Sequence, residues 1–340
     1  MATKRNRTPT SIDVARLAGV SKSAVSRAFT DGASVAADTR QRVLEAADAL
    51  GYRPNPIARS LTTRRSAIVG VAMAFMDQLY APLLTRLSER LTQEGFRLLL
   101  FKAKPEEIAD DELETLVQYN VDALILVSVK LSDVFAERCR RAGIPVVLIN
   151  PTMDVGAVST LTGSNADGGR QLGEFLIAAG HRKLAYMGGF AGSYTSEARR
   201  NGYVEAMRAA GIRKPPLYDV GNYTFDGGIA AARRLLSGSV LPDAIFCAND
   251  SMACATIDVA RREFGIAVGS ALSVVGFDNE PIAAWPGFDL TTYSLPLEGI
   301  VDQSIDLVRR LWMNSSDIAE VLVPGEVIVR GSARRPPALS

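Results

Sequence analysis

Histidine is almost absent from this 340-residue chain: there is one, His181, in Gly180-His181-Arg182-Lys183. It precedes an apolar run instead of closing one, and no Ser/His/Asp set or metal cluster can be assembled around it. Cysteine is scarce too. Cys139, Cys247 and Cys254 are odd in number and widely spaced, which argues against a disulfide framework or a zinc site. Long apolar runs are missing. Stretches such as Ala123–Val129 and Ile144–Ile149 fall far short of the roughly 20 residues that a membrane helix needs. Behind the basic start, Met1-Ala2-Thr3-Lys4-Arg5-Asn6-Arg7, no apolar segment follows, so a secretory signal is not expected and a cytoplasmic protein is. Nucleotide loops are also lacking. There is no Walker sequence, and Gly188-Gly189-Phe190-Ala191-Gly192 lacks the dinucleotide spacing, reading better as a loop at a cleft. These gaps count against an enzyme and against a cofactor.

What remains is an ordinary globular composition, 47% hydrophobic and 22% charged, long enough for one large or two to three smaller domains. The net charge of +1 conceals an asymmetry. Residues 1–65 carry twelve Lys/Arg and five Asp/Glu, giving +7; the remaining 26 basic and 32 acidic residues give −6. A short basic head on a long acidic body points to a nucleic-acid partner for the head.

The pattern in the head agrees. Thr10-Ser11-Ile12-Asp13 reads as a capping box, after which Val14, Leu17 and Ala18 fall on one helical face. Gly19 ends that helix and Ser21 caps a second, Lys22 to Phe29, whose Val25 is expected to meet Val14 and Leu17. Its other face shows Lys22, Ser23, Ser26 and Arg27. A third helix, about Asp38 to Leu50, is expected to bury Val43, Ala47 and Leu50. Three short helices with a glycine turn between the first two make a helix-turn-helix. Asn55-Pro56 then starts a further helix of about two turns, too short to persist alone.

From Ser66 onward apolar runs alternate with amphipathic stretches. Strands are expected at Ala67–Ala74, Arg97–Phe101, Ala123–Ser128 and Pro145–Asn150, then at Lys183–Gly188, Leu217–Val220, Ala244–Cys247 and Leu272–Phe277. Helices fall between them, and the chain returns across the first series near Thr291–Asn314. This is α/β: two doubly wound lobes. Ligands in open α/β sheets sit beyond the carboxyl ends of strands, which makes Asn249 and Asp278 candidates.

Val14-Ala15-Arg16-Leu17-Ala18-Gly19-Val20-Ser21-Lys22-Ser23-Ala24-Val25-Ser26-Arg27, then Thr39-Arg40 and Gly51-Tyr52-Arg53-Pro54-Asn55, resemble the head of the lactose-repressor (LacI) family, and the similarity covers essentially the whole chain. The resemblance implies an all-α helix-turn-helix head at 1–53, a hinge helix and linker at 54–65, and a periplasmic-binding-protein-like core at 66–340. Lobe 1 is placed at about 66–164 and 295–322, lobe 2 at about 165–294 and 323–340. It further implies a sequence-specific regulator, a repressor by family habit, that reads a pseudo-palindromic double-stranded DNA operator as a homodimer and whose operator affinity a small soluble effector controls, by release as the family's habit favours or, alternatively, by corepression. Lys22, Ser23 and Arg27 are then expected on base edges, with Thr10, Ser11, Ser21, Ser26, Thr30 and Thr39 on phosphates. Asn55, Ala58 and Leu61 complete the DNA set, Leu61 as a wedge in the minor groove. The implied effector site takes Leu79, Tyr80, Asn150, Arg199, Tyr223, Asn249, Asp278 and Leu295. A carboxylate, an arginine and an aromatic face suit a polyhydroxylated ligand such as a sugar or sugar acid.

This chain departs from the family's pattern at four places. Ala36 precedes the third helix in place of serine, forfeiting a cap worth roughly 1 kcal/mol. Asn150 and Ser164 stand where aspartates are common, and Leu295 where a glutamine contact is frequent. The cleft is therefore expected to be less negative and less polar, suiting an anionic or less hydroxylated effector.

Overall fold

The structure, a computed structural model, describes residues 9–29, 32–53, 66–73, 80–104, 110–151, 156 and 158–337. The chain divides into two units, Met1–Ala67 and Ile68–Ser340.

In the first unit, α1 (Ser11–Ala18) begins with a complete capping box: Thr10 Oγ1 accepts from the Asp13 amide, and the Asp13 carboxylate accepts from the Thr10 amide at 2.9 Å. Gly19, at φ 66°, closes it in the left-handed conformation that glycine adopts freely. Ser21 caps α2 (Lys22–Ala28) through the Ala24 amide. Ala36 stands at the N-cap of α3 (Ala37–Leu50) and supplies no side-chain bond. Val14, Ala15, Ala18, Val25, Ala28, Val43, Ala46 and Ala47 form the core, with Leu50 packed partly buried at its edge. Leu17 does not join it and is 56% exposed, correcting the expectation drawn from helical spacing. Successive residues turn by about 100°. The small side chains Ala15 and Ala18 let α1 pack closely on their side, and Leu17 is carried about 100° from the centre of that stripe. Arg40 reaches back from α3 to the carbonyls of Ala28 and Ala33, fixing the end of α2.

The second unit holds two six-stranded sheets. The first contains β1 (Ile68–Met73), β2 (Arg97–Lys102), β3 (Ala123–Val127), β4 (Val146–Ile149), β5 (Ser159–Gly163) and β11 (Glu320–Val323), in the order β11-β5-β4-β3-β1-β2, all parallel. The second contains β6 (Leu184–Gly188), β7 (Leu217–Val220), β8 (Ala244–Cys247), β9 (Ser273–Asp278), β10 (Thr291–Ser294) and β12 (Glu326–Ile328), in the order β12-β10-β9-β8-β6-β7; only β12 runs antiparallel. The central strands are continuous apolar runs, Ala-Leu-Ile-Leu-Val in β3 for example, because helices cover both faces. Those helices are α4 (Tyr80–Gln93), α5 (Asp110–Gln118) and α6 (Asp133–Arg141) in the first lobe, and α7 (Asn165–Ala178), α8 (Tyr194–Ala209), α9 (Phe225–Ser237) and α10 (Asp250–Arg262) in the second. The last, α11 (Leu297–Met313), packs on α4, β4 and β5 and so belongs with the first sheet.

The strand at Thr291–Ser294 lies in the second sheet, so the chain's return to the first begins only at Leu295. Three crossings join the lobes: Ser164, Leu295–Pro296 and Pro324–Gly325. They run side by side. The Ser164 amide donates to Val323 O, and the Gly325 amide to Tyr293 Oη at 2.8 Å. A Cβ on Gly325 would stand 2.0 Å from Ser294 O, and one on Gly163 2.3 Å from a Leu295 methyl. At Gly325, where the neighbour is backbone, only glycine allows that approach; at Gly163 the Leu295 side chain would have to shift.

Candidate effector cleft and DNA-binding face

In the head, Ser21, Lys22, Ser23, Ser26 and Arg27 are all exposed, while Ala24, Val25 and Ala28 on the same short helix are buried. Among the described residues, neither the Lys22 nor the Arg27 side chain has a hydrogen-bond or ion-pair partner. Ser21 and Ser23 share a hydroxyl contact of 2.9 Å. The second helix thus offers a row of donors on a rigid support. Thr10, Ser11 and Thr39 are half-buried at helix starts, and the Thr10 hydroxyl donates to Asp13 at 2.7 Å. Thr30, Asn55, Ala58 and Leu61 lie outside the described residues, as does Leu79.

In the body, the remaining candidates gather at the carboxyl edges of the two sheets. Asp278 ends β9 and Asn249 follows β8; Arg199 projects from the second turn of α8. All three are buried. Arg199 Nη2 donates to Asp278 Oδ1 at 3.1 Å, Nη1 donates to Ala248 O, and Nε donates to Asn165 Oδ1 at 2.8 Å. The guanidinium carbon stands 3.7 Å from the centre of the Phe277 ring. Burial opposes its charge, but the Asp278 carboxylate, with Tyr223, Tyr186 and Tyr80 acting in the same direction, outweighs that and holds Arg199 protonated above its ordinary range. Tyr80, which lies close enough to enter the electrostatics of this arginine, belongs to the first lobe.

Tyr223, at φ 60°, takes part in hydroxyl contacts with Ser193 (2.9 Å) and Thr195 (3.0 Å), and its ring meets Phe190 edge-on. Asn249 does two things: it caps α10 through the Met252 amide, and its Nδ2 donates to Tyr223 O at 3.2 Å. On the first lobe, Tyr80 Oη and Ser128 Oγ are 2.8 Å apart, and Asn150 Oδ1 accepts from Thr162 Oγ1 at 3.1 Å. Leu295 is buried on Gly163 at the second crossing, a packing position. Of nine non-glycine residues with positive φ among the described residues, six sit at these strand ends: Ser128, Asn150, Asn222, Tyr223, Asp278 and Asn279. Three of the six are asparagines, which tolerate this conformation; Ser128, Tyr223 and Asp278 are the strained positions.

Sequence reasoning placed Phe190 in a cleft loop but did not assign Ser128, Thr162, Asn165, Ser193 or Thr195 to this region. His181 is elsewhere, ahead of β6 at the opposite edge of its sheet, buried with Nδ1 3.5 Å from Asp243. Asp250, fully buried, accepts from the Thr292 hydroxyl and the Glu280 amide, and burial pushes its carboxyl well above the usual range. It braces the β9–β10 edge.

A helix-turn-helix head and a body of two linked sheets with a charged pair at their carboxyl edges define a ligand-responsive transcriptional regulator. The profile for bacterial regulatory proteins of the lacI family matches residues 12–55, and that for the periplasmic binding protein-like domain matches 174–333. The HTH-type transcriptional regulator CelR of Thermobifida fusca is 33% identical, over 97% of this chain and 99% of the relative. The ribose operon repressor of Escherichia coli strain K12 is 30% identical, over 94% and 98%. Among solved structures, the lac repressor dimer bound to operator and the anti-inducer ONPF superposes with a TM-score of 0.87 at 25% identity, covering 96% of this chain and all of that one. The CelR–cellobiose complex gives 0.71 at 29% identity, with coverage of 96% and 100%. The chain belongs to the LacI family of transcriptional regulators; it is not an enzyme. Among the described residues no helix is long and apolar enough to cross a membrane.

Proposed function

We propose that this regulator acts in the cytoplasm as a homodimeric repressor, each head reading half of a pseudo-palindromic operator. A sugar, sugar acid or related metabolite, bound between the lobes, controls its operator affinity. The observation that carries the reading is the buried Arg199–Asp278 pair at the carboxyl edge of the second sheet, facing a first lobe that contributes Tyr80. An arginine and a carboxylate held this way offer donor and acceptor together, the pattern that adjacent hydroxyls satisfy, and Phe190 and Tyr223 supply an apolar wall. Support for the operator and the dimer comes from the lac repressor complex, and for a carbohydrate effector from the CelR–cellobiose complex. Asn150 and Leu295, in place of the acidic and amide residues common in relatives, favour an effector that is anionic or carries fewer hydroxyls. On the DNA side, Lys22, Ser23 and Arg27 read bases, Thr10, Ser11, Ser21, Ser26, Thr30 and Thr39 hold phosphates, and Asn55, Ala58 and Leu61 serve the hinge.

The test has two arms. Selection from random duplex DNA should enrich a two-fold-symmetric sequence. Thermal-shift screening of sugars, polyols, sugar acids and nucleobases should then find a compound that changes affinity for it, at fixed salt because phosphate contacts make binding salt-dependent. Enrichment of an asymmetric site, or none, would refute the dimeric reading.

A further inference from the structure

Asn165 is the first residue of α7, immediately beyond the first crossing between lobes. Its Nδ2 donates backward to Thr162 Oγ1 (3.1 Å) and Gly163 O (3.1 Å) in β5 of the first lobe. Its Oδ1 accepts from Arg199 Nε in the second. Thr162 in turn donates its hydroxyl proton to Asn150 Oδ1 at the end of β4. Asn150, Thr162, Asn165 and Arg199 are each at most 8% exposed, so water does not substitute freely for any member.

The direction of every bond in this chain follows from one end. Arginine has donors only, so the Asn165 oxygen must face Arg199. Its amide nitrogen then faces Thr162, whose oxygen accepts and whose proton is left for the nearer acceptor Asn150 Oδ1 at 3.1 Å, with Gly163 O at 3.3 Å. The arginine's position is itself clamped. α7 and α8 touch backbone to backbone: a Cβ on Gly169 would stand 2.0 Å from Arg199 O, and one on Gly202 1.8 Å from Ala166 O.

We propose that Asn165 is a positioning residue that ties the state of the Arg199–Asp278 pair to the angle of the first lobe crossing. Resting on the proposed effector site, the inference adds how that site is read. While Arg199 orients the Asn165 amide, the amide stiffens residues 162–165. When Arg199 is drawn away or removed, the amide loses its orienting partner, the bonds to Thr162 and Gly163 are no longer enforced, and the crossing loosens.

The test needs neither effector nor operator. Spin labels on Val134→Cys in the first lobe and Leu241→Cys in the second, both exposed positions, report the interlobe distance in the full chain. The three native cysteines are buried. The unsubstituted chain should give a single narrow distribution. Thr162→Val keeps the shape but removes the hydroxyl, and should widen the distribution about twofold; Thr162→Ser should restore it. Asn165→Ala and Arg199→Ala should widen it as Thr162→Val does. Wild-type width in Thr162→Val would overturn the relay, and this variant stays informative should Asn165→Ala fail to fold. Widening in Thr162→Val but not in Arg199→Ala would overturn the tie to Arg199. Failure of the effector reading shows separately, as operator affinity that no ligand alters.

Discussion

Removing the carboxylate of Asp278 leaves the Arg199 guanidinium buried, charged and short of its counter-ion. Breaking a buried pair by deleting one partner costs about 3–5 kcal/mol. Arg199 retains Asn165 Oδ1, Ala248 O and the face of Phe277, which places Asp278→Ala at the lower end, about 3 kcal/mol. For a domain of this size each kcal/mol moves Tm by roughly 2–4 °C, so the body should melt about 6–12 °C lower. Asp278→Asn, which preserves an oxygen acceptor, should cost less. Replacing both charges, Arg199→Met with Asp278→Leu, tests whether the pair acts as a unit. Residues in contact typically couple by about 0.5–3 kcal/mol, and the double variant should be more stable than the sum of the single losses by at least about 1 kcal/mol. Urea unfolding of the full chain, followed by tryptophan fluorescence, measures the cycle. Additivity within about 0.5 kcal/mol would refute a charge interaction between the two residues.

Other consequences are as direct. Ala36→Ser should cap α3 and raise its stability by about 1 kcal/mol, read as slower amide exchange in Ala37–Leu50. Gly169→Ala drives a methyl group into Arg199 O, so about 3 kcal/mol or more of stability should be lost together with the effector response; unchanged melting would refute the close helix contact. Burial, and after it Arg334 and Arg182, hold the His181 imidazole below its ordinary range against the opposing pull of Asp243. The unfolded chain therefore takes up this proton first, and stability should fall as pH drops through about 6.5, by at most about 1.4 kcal/mol per unit, a slope that His181→Asn flattens. Arg27→Ala should weaken operator binding by about 1–3 kcal/mol and relax preference at one position of each half-site, measured by competition with substituted duplexes.

The alternation of apolar runs with amphipathic helices placed most of these elements within a residue or two, because strands buried on both faces are unmistakable in sequence. β5, Ser-Thr-Leu-Thr-Gly, escaped for the opposite reason: its residues are mostly small and polar, and its register comes from partners as distant as Glu320. β11 and β12 are edge strands of four and three residues, defined only by long-range pairing. Arg199 and Asp278 could each be assigned to a ligand site, one by resemblance and the other as a strand end. That they bond each other could not be read, since 79 residues separate them. Asn165 and Thr162 were illegible in the same sense. In sequence, Ser164 showed only as a departure from the family's pattern, and only the fold brings Arg199 against its neighbour Asn165.

The three crossings also constrain how a ligand can act. All lie at the carboxyl edges of the sheets, and Gly325 against the Ser294 carbonyl and Gly163 against the Leu295 side chain leave little room there for large local rearrangement. Relative motion of the lobes is then a rotation about a nearly fixed pivot, small at the ligand and larger with distance from it. The strand through which the chain enters the first lobe, β1, begins at Ile68, at the amino edge of its sheet and far from the pivot. A change of angle is thus amplified where the segment leading from the head joins the body. The ligand must still bind the two angles unequally, and a coupling of about 1–3 kcal/mol is the usual scale. An effector that touches only the second lobe has no direct means of telling the angles apart. It would gain one either by reaching Tyr80 and Asn150 across the cleft or by moving Arg199, whose Nε is bonded to Asn165, the residue next to the first crossing.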